Sequence, residues 1–313
     1  MNQYFQESDT EKSLLIFRDL CKKHHENALD FEFCNGYILQ ATRNGFGSKE
    51  FGEGLVIFTK KRVGENYVIM AYAGKDRGKG VFKTAKVLFG ESGKPVIIKN
   101  VGEGIENELL SLGCRHYRVK EWWDTQSKYD DNTFPEQILN CQEYIDLEGP
   151  KYQSLREEKA RFEKSYEMEI RKWDNCEPDK IKDILGLWIN KMSLRNGWEK
   201  DELLASHEPF CNSRSDLIHY GVYDSKNDNI IGFLVFSEIS AKCLGFNVLV
   251  NNFDYRNSYR ILMIEAAKIS NQLGYKYLNI QGSEDTNQFL SKKRLKAEIE
   301  ICKEHLIYDG TPY

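Results

Sequence analysis

The stretch DLIHYGVYDSKNDNIIGFLVF, residues 216–236, reads as two strands around one turn. Asp216 to Tyr223 and Asn229 to Phe236 are rich in β-branched and aromatic residues, and Ser225-Lys226-Asn227-Asp228 supplies the polar turn between them. Lys242 to Val250 is a third strand. Tyr259 to Leu273 then keeps a helical pattern until Gly274 stops it, and Tyr275 to Ile280 is strand again. Upstream, Ile181, Ile184, Leu185, Trp188, Ile189 and Met192 hold the i, i+3, i+4, i+7, i+8, i+11 spacing of one helix face. Helix, three strands in antiparallel succession, helix, strand: this order predicts an α/β layered domain.

The first half of the chain repeats that logic less clearly. Glu11 to His25 is expected to be a helix, with Leu14, Leu15, Phe17, Leu20 and Cys21 on its apolar face. Phe31 to Gln40, Gly54 to Val63 and Glu65 to Ala73 are rich in β-formers and are expected as strands, with Gly64-Glu65-Asn66 turning between the last two. Gly78 to Phe89 reads as helix, Pro95 to Lys99 as a short strand, and Ile105 to Leu112 as a helix ended by Gly113. Asp124 to Thr133 is polar and is expected to be a loop. Tyr152 to Lys172 is densely charged, with Leu155, Ala160, Phe162 and Tyr166 as a thin apolar stripe, so it is expected to be a mostly solvated helix. The division that follows is 1–150 and 151–313, with 151–172 as the inter-domain helix.

A length of 313 residues suits two such domains, and 41 % hydrophobic residues are enough for a core in each. The net charge of −4 argues against a coat of positive charge for non-specific nucleic-acid binding, while leaving room for a local basic patch. Met1 to Thr10 lacks a basic-then-apolar leader and no run approaches a membrane span, so the expected location is cytoplasmic. The eight cysteines contain no CxxC pair, and the six histidines show no HExxH or other ligand spacing, so neither zinc nor dithiol chemistry is expected. Gly74, Gly78 and Gly80 are not followed by Lys-Ser or Lys-Thr and do not make a P-loop.

Two segments carry a family resemblance. The first is Gly149-Pro150-Lys151-Tyr152-Gln153-Ser154-Leu155-Arg156, with Phe162 following in register. The second is Gly274-Tyr275-Lys276-Tyr277-Leu278-Asn279, then Gly282-Ser283-Glu284-Asp285, then Phe289-Leu290 and Lys292-Lys293. In order and separation these resemble the tandem-GNAT aminoacyltransferases, namely the phosphatidylglycerol lysyltransferase C-terminal domain and the Fem-like aminoacyl-tRNA-dependent transferases. Leu155 stands where that pattern has the first of two basic residues.

The resemblance implies two tandem GNAT-like domains, an aminoacyl-tRNA donor and no cofactor. It places Lys292 and Lys293 as candidate catalytic cations for the oxyanion, and Glu284 and Asp285 as groups that orient the acceptor or take its proton. Arg156, Tyr152, Asn279 and Arg256 are the matching candidates for substrate binding. An acetyl-CoA enzyme of this fold cradles pyrophosphate on a glycine-rich turn, and the corresponding Asp254-Tyr255-Arg256-Asn257-Ser258-Tyr259-Arg260 has no glycine. The expected reaction is transfer of an aminoacyl group to an amine or hydroxyl, on a small metabolite, a peptide or a modified nucleic-acid group. Two alternatives stand beside it: an acyl-CoA-dependent N-acyltransferase and a non-catalytic binding module on the same fold.

Overall fold

The computed structural model describes residues 7–30, 33–41, 46–60, 66–117, 135–172, 178–196, 199–212, 214–282 and 286–311. The expected loop at 124–133 and the turn at 64–65 lie outside them. The first half contains helices α1 (Glu7–His24) and α2 (Asn35–Ala41), then strands β1 (Gly47–Phe51), β2 (Gly54–Lys60) and β3 (Tyr67–Gly74). Helix α3 (Arg77–Ser92), strand β4 (Val96–Val101), helix α4 (Glu103–Ser111) and strand β5 (Arg115–His116) follow. Strand β6 (Glu136–Asn140), helix α5 (Cys141–Asp146), helix α6 (Gln153–Ser165) and strand β7 (Met168–Lys172) lead into the second half. That half has α7 (Pro178–Asn196), α8 (Lys200–His207), β8 (Ile218–Asp224), β9 (Asn229–Ser240) and β10 (Cys243–Asn251). It closes with α9 (Ser258–Gln272), β11 (Tyr277–Asn279), α10 (Thr286–Lys293), β12 (Ile299–Ile301) and β13 (Glu304–Tyr308).

The strands form two sheets. One has six strands in the order β1-β2-β3-β4-β13-β5, the other seven in the order β12-β6-β11-β10-β9-β8-β7. Each holds one parallel pair, β3 with β4 and β10 with β11, and a helix crosses over between the two strands of the pair. In each case three antiparallel strands precede that helix, so β1-β2-β3-α3-β4 and β8-β9-β10-α9-β11 are the same unit built twice. The sheets also exchange strands. β13, at the chain's end, enters the first sheet between β4 and β5, while β6 enters the second between β12 and β11. Sheet membership therefore does not follow a cut at residue 150.

Two expected elements take another form. The strand expected over Phe31 to Gln40 is absent from its described part, 33–40: from Asn35 to Ala41 the chain is helix α2. Cys34, just before it, and Ile38, four residues on, are both fully buried on the same side, and that helical repeat overrides the β-propensity of single residues. The charged helix expected through Lys172 ends at Ser165, where Tyr166 turns to extended backbone. Residues 168–172 form β7, an edge strand antiparallel to β8. Leu155 is 1 % exposed in the core under α6, which accounts for an apolar residue at that position.

The second sheet has two differently used faces. Leu234, Phe236, Leu244, Phe246 and Leu278 pack beneath α5, α6 and α9. The opposite face is covered at one end by α7 and α8 and at the other by α1 and α2 of the first half, where Cys34 and Ile38 meet Ile239 and Cys243. This shared core ties the two halves into one body.

Candidate functional site

On the face that meets α2, the apolar strands of the second sheet carry a band of buried polar side chains. Ser237 on β9 lies opposite Gly245 on β10, and Gly245 lies opposite Asn279 on β11. Asn247 and Glu136 lie one step further along their strands. All four side chains are buried, Asn279 completely. A polar group in such a place is costly unless it is bonded, and the contacts are dense. Ser237 Oγ donates to Asn247 Oδ1 (2.8 Å) and accepts the Gly36 N–H (3.3 Å). Asn247 Nδ2 reaches Cys34 Sγ at 3.7 Å. Burial pushes the Cys34 thiol up to about 11, so it is an uncharged packing group. A Cβ on Gly36 would overlap the Asn247 carboxamide, so α2 can sit against β10 only with glycine there.

Beyond Gly245 and Asn279 the parallel strands β10 and β11 separate. β10 runs on to Asn251, whereas β11 ends. The separation opens an edge inside the sheet, and one side chain closes it: Gln281 Nε2 donates to the carbonyls of Phe246 (2.7 Å) and Asn247 (3.0 Å). Gln281 holds a left-handed backbone, φ 65°, with its N–H on Asn279 Oδ1 at 2.8 Å. Asn279 in turn donates from Nδ2 to Glu136 Oε2 (2.7 Å) and to the Leu29 carbonyl of the first half (2.6 Å). Nearby, Lys303 pairs with Asp30 across the same seam.

The sequence candidates fall in several places. Asn279 is at the centre of the band. Lys292 stands below it and donates Nζ to the carbonyls of Ile280 (2.8 Å), Gln281 (3.3 Å) and Gly282, holding the turn that carries Gln281. Lys293 points elsewhere and pairs with Glu300 at 2.5 Å on the surface. Glu284 and Asp285 lie outside the described residues, directly after the turn that Lys292 holds. Arg156 donates to the carbonyls of Leu147 and Gly149, the latter at 2.8 Å, and so fastens the link between α5 and α6. Tyr152 is 4 % exposed and packs edge-on against Tyr144. Arg256 is exposed in the turn before α9.

That turn is closed on itself. The Tyr255 N–H donates to the Asn252 carbonyl (3.2 Å) and the Ser258 N–H to the Tyr255 carbonyl (3.1 Å). Arg260, in the first turn of α9, is held by Glu158 of α6 at 2.5 Å. Among the described residues no group of three or more His, Cys, Asp or Glu could hold a metal ion. No helix among them is long and apolar enough to cross a membrane.

Ser237, Asn247, Gln281 and Glu136 escaped the sequence reading. For two of them a signal is present: Ser237 breaks the apolar run FLVF, and Asn247 is the lone polar residue inside LGFNVLV.

A twice-built unit of three antiparallel strands, a crossover helix and a parallel strand defines a mixed α/β fold of two tandem GNAT-like domains. A tandem GNAT protein from the clavulanic acid biosynthesis pathway is similar at TM-score 0.53 with 10 % identity, covering 99 % of this chain and 98 % of that one. L-PGS from Bacillus licheniformis is similar at TM-score 0.66 with 12 % identity, covering 100 % and 95 % of the two chains. FemX is similar at TM-score 0.62 with 9 % identity, covering 96 % and 95 %. At these identities the likeness speaks to the fold. No curated protein sequence matches the chain. The profile of one family, described as phosphatidylglycerol lysyltransferase, C-terminal, matches residues 36–297, and the chain belongs to that family.

Proposed function

We propose that the protein transfers an aminoacyl group from aminoacyl-tRNA to an amine or hydroxyl acceptor at the opening between β10 and β11. The observation that carries this reading is the Gln281 carboxamide on the Phe246 and Asn247 carbonyls. An acyl-CoA donor would need those backbone groups for its amide-bearing arm and free N–H groups before α9 for its pyrophosphate. Here the first are capped, and the N–H groups of Tyr255 and Ser258 are engaged within their own turn. An aminoacyl ester on the 3′ end of an RNA needs neither. Membership of a family described by lysyl transfer supports the same donor class.

The chemistry asks for positioning more than for activation, because the donor ester is already reactive. The acceptor lone pair attacks the ester carbonyl and a new C–N or C–O bond forms. The tetrahedral intermediate then expels the ribose oxygen, which takes up the proton that the acceptor loses. In this reading Lys292 positions the turn at 280–282, and the carboxylates of Glu284 and Asp285 that follow it relay that proton. Gln281 lines the opening and orients the ester, while Arg156 and Tyr152 hold the link between α5 and α6. Use of a tRNA donor places the reaction in the cytoplasmic compartment. Calorimetry tests the choice of donor: charged tRNA should bind with a measurable heat while acetyl-CoA gives none, and micromolar binding of acetyl-CoA would reverse it.

A further inference from the structure

We propose that the exposed lysine face of α3 is a docking surface for the phosphodiester backbone of the RNA donor; this rests on the reading of that donor as a tRNA. Residues 75–86 hold five cations, Lys75, Arg77, Lys79, Lys83 and Lys86, against one acidic residue, Asp76, in a chain whose net charge is −4. Lys79, Lys83 and Lys86 recur at i, i+4 and i+7 and all three are exposed on one face of the helix. Val81, Ala85 and Leu88 of the same helix are turned into the core. Among the described residues none of the three lysines is in an ion pair, and Lys86 lies over the Phe82 ring at 5.8 Å. Glu108 of α4 lies against Gly78 on the α4 side of the helix, away from this face.

From Lys79 to Lys86 is about 10 Å along the helix, a span that matches about three phosphates of one strand. At its head the stripe runs into a cleft of about 430 Å³ lined by Lys23, His24, His25, Phe33 and Arg77 among others. The Arg77 guanidinium sits 5.5 Å over the Phe33 ring, and His25 stacks on that ring at 4.5 Å. Asp30 on the cleft wall is already engaged by Lys303. Glu53 pairs with Lys23 and Glu26 also lines the cleft, so the positive charge free of ion pairs is that of the three lysines, with aromatic rings at one end, which suits a nucleic-acid backbone. An anionic membrane would call for apolar side chains beside the lysines, and Val87, at 37 % exposed, is the one large hydrophobic exposed on this helix.

Binding of deacylated tRNA across a salt series, together with steady-state transfer from charged tRNA, tests this. The variant is Lys79→Ala/Lys83→Ala/Lys86→Ala. Its control removes equal charge from the second half, as Lys182→Ala/Lys191→Ala/Lys200→Ala. The α3 variant should lower the slope of log K against log salt by about 2, at roughly 0.7 per lost phosphate contact. It should raise the KM for tRNA and leave kcat at saturating tRNA and thermal unfolding unchanged, while the control keeps the parental slope. An unchanged slope and KM in a protein that still transfers would overturn the surface and leave the function standing. A parent protein that binds no tRNA would overturn both. Binding of phosphatidylglycerol-containing vesicles in place of tRNA, lost in the α3 variant, would assign the face to a membrane instead.

Discussion

Asn279 and Glu136 meet across β11 and β6, carboxamide nitrogen to carboxylate oxygen at 2.7 Å, and the same nitrogen reaches back to the Leu29 carbonyl of the other half. One side chain thus joins a strand contributed from outside the second half, the strand next to the opening, and the segment between α1 and α2. Asn279→Ala removes one donor from the buried Glu136 carboxylate and one from the Leu29 carbonyl. The expected loss is about 2–4 kcal/mol of unfolding free energy, read from urea denaturation. Asn279→Asp sets a second carboxylate against Glu136 and should cost more than the alanine. A loss under about 0.5 kcal/mol in both variants would mean that the contact does not hold the seam.

Gly36 and Asn247 fix how closely α2 approaches β10. Gly36→Ala drives a methyl group into the Asn247 carboxamide and should destabilise by about 1–3 kcal/mol. Adding Asn247→Ala removes the group that is struck, so the double variant should be more stable than the sum of the single effects predicts. Strict additivity would show that the two residues do not touch in solution.

Lys292 and Lys293 are adjacent in sequence and make different contacts. Lys292→Ala removes a charged donor from three carbonyls of the turn at 280–282, and transfer should fall by roughly a hundredfold. Lys293→Ala loses an exposed pair with Glu300, worth well under about 1 kcal/mol, and transfer should stay within a factor of about two. Lys292→Arg, which keeps the charge and the donors, should restore part of the rate. Equal losses at 292 and 293 would count against a positioning role for Lys292 alone.

Stability should fall on the acid side of neutrality. Burial holds His219 down to about 4, although its Nε2 donates to the Phe210 carbonyl at 3.0 Å. The unfolded chain takes up this proton below about 6.5, whereas the folded chain resists until about 4. The contribution of the neutral ring is therefore complete above 6.5 and is lost as the pH falls from there to 4. The loss is on the order of 2–3 kcal/mol, and unfolding free energies measured between pH 7 and 4 should show it. His219→Gln should flatten that slope; the same slope in the variant would assign the effect to other groups.

The sequence made the second half legible because its strands are long, apolar and set off by clear turns. The repeat in the first half could be read at β2, β3, α3 and β4 for the same reason. Short strands were not legible: β12 and β5 have three and two residues, too few for a period to show. The exchange of β6 and β13 between sheets leaves no local trace either, since it is a choice of partner. At the candidate site, the resemblance pointed to Asn279 and Lys292, which the structure places near each other. Gln281 could not be found that way, because its role comes from a left-handed backbone and from two carbonyls 34 and 35 positions away in sequence.

The measurement that bears most directly on the account is a transfer assay with both donor classes in parallel. The protein is incubated with a pool of tRNAs charged with labelled amino acids and, separately, with labelled acetyl-CoA, each with a mixture of amine and hydroxyl acceptors. The expected result is loss of labelled ester from tRNA, appearance of label in an acceptor, and a rate that falls in Lys292→Ala. With acetyl-CoA no transfer above the uncatalysed background is expected. Acetyl transfer in the absence of aminoacyl transfer, or no consumption of either donor at any acceptor concentration, would contradict it.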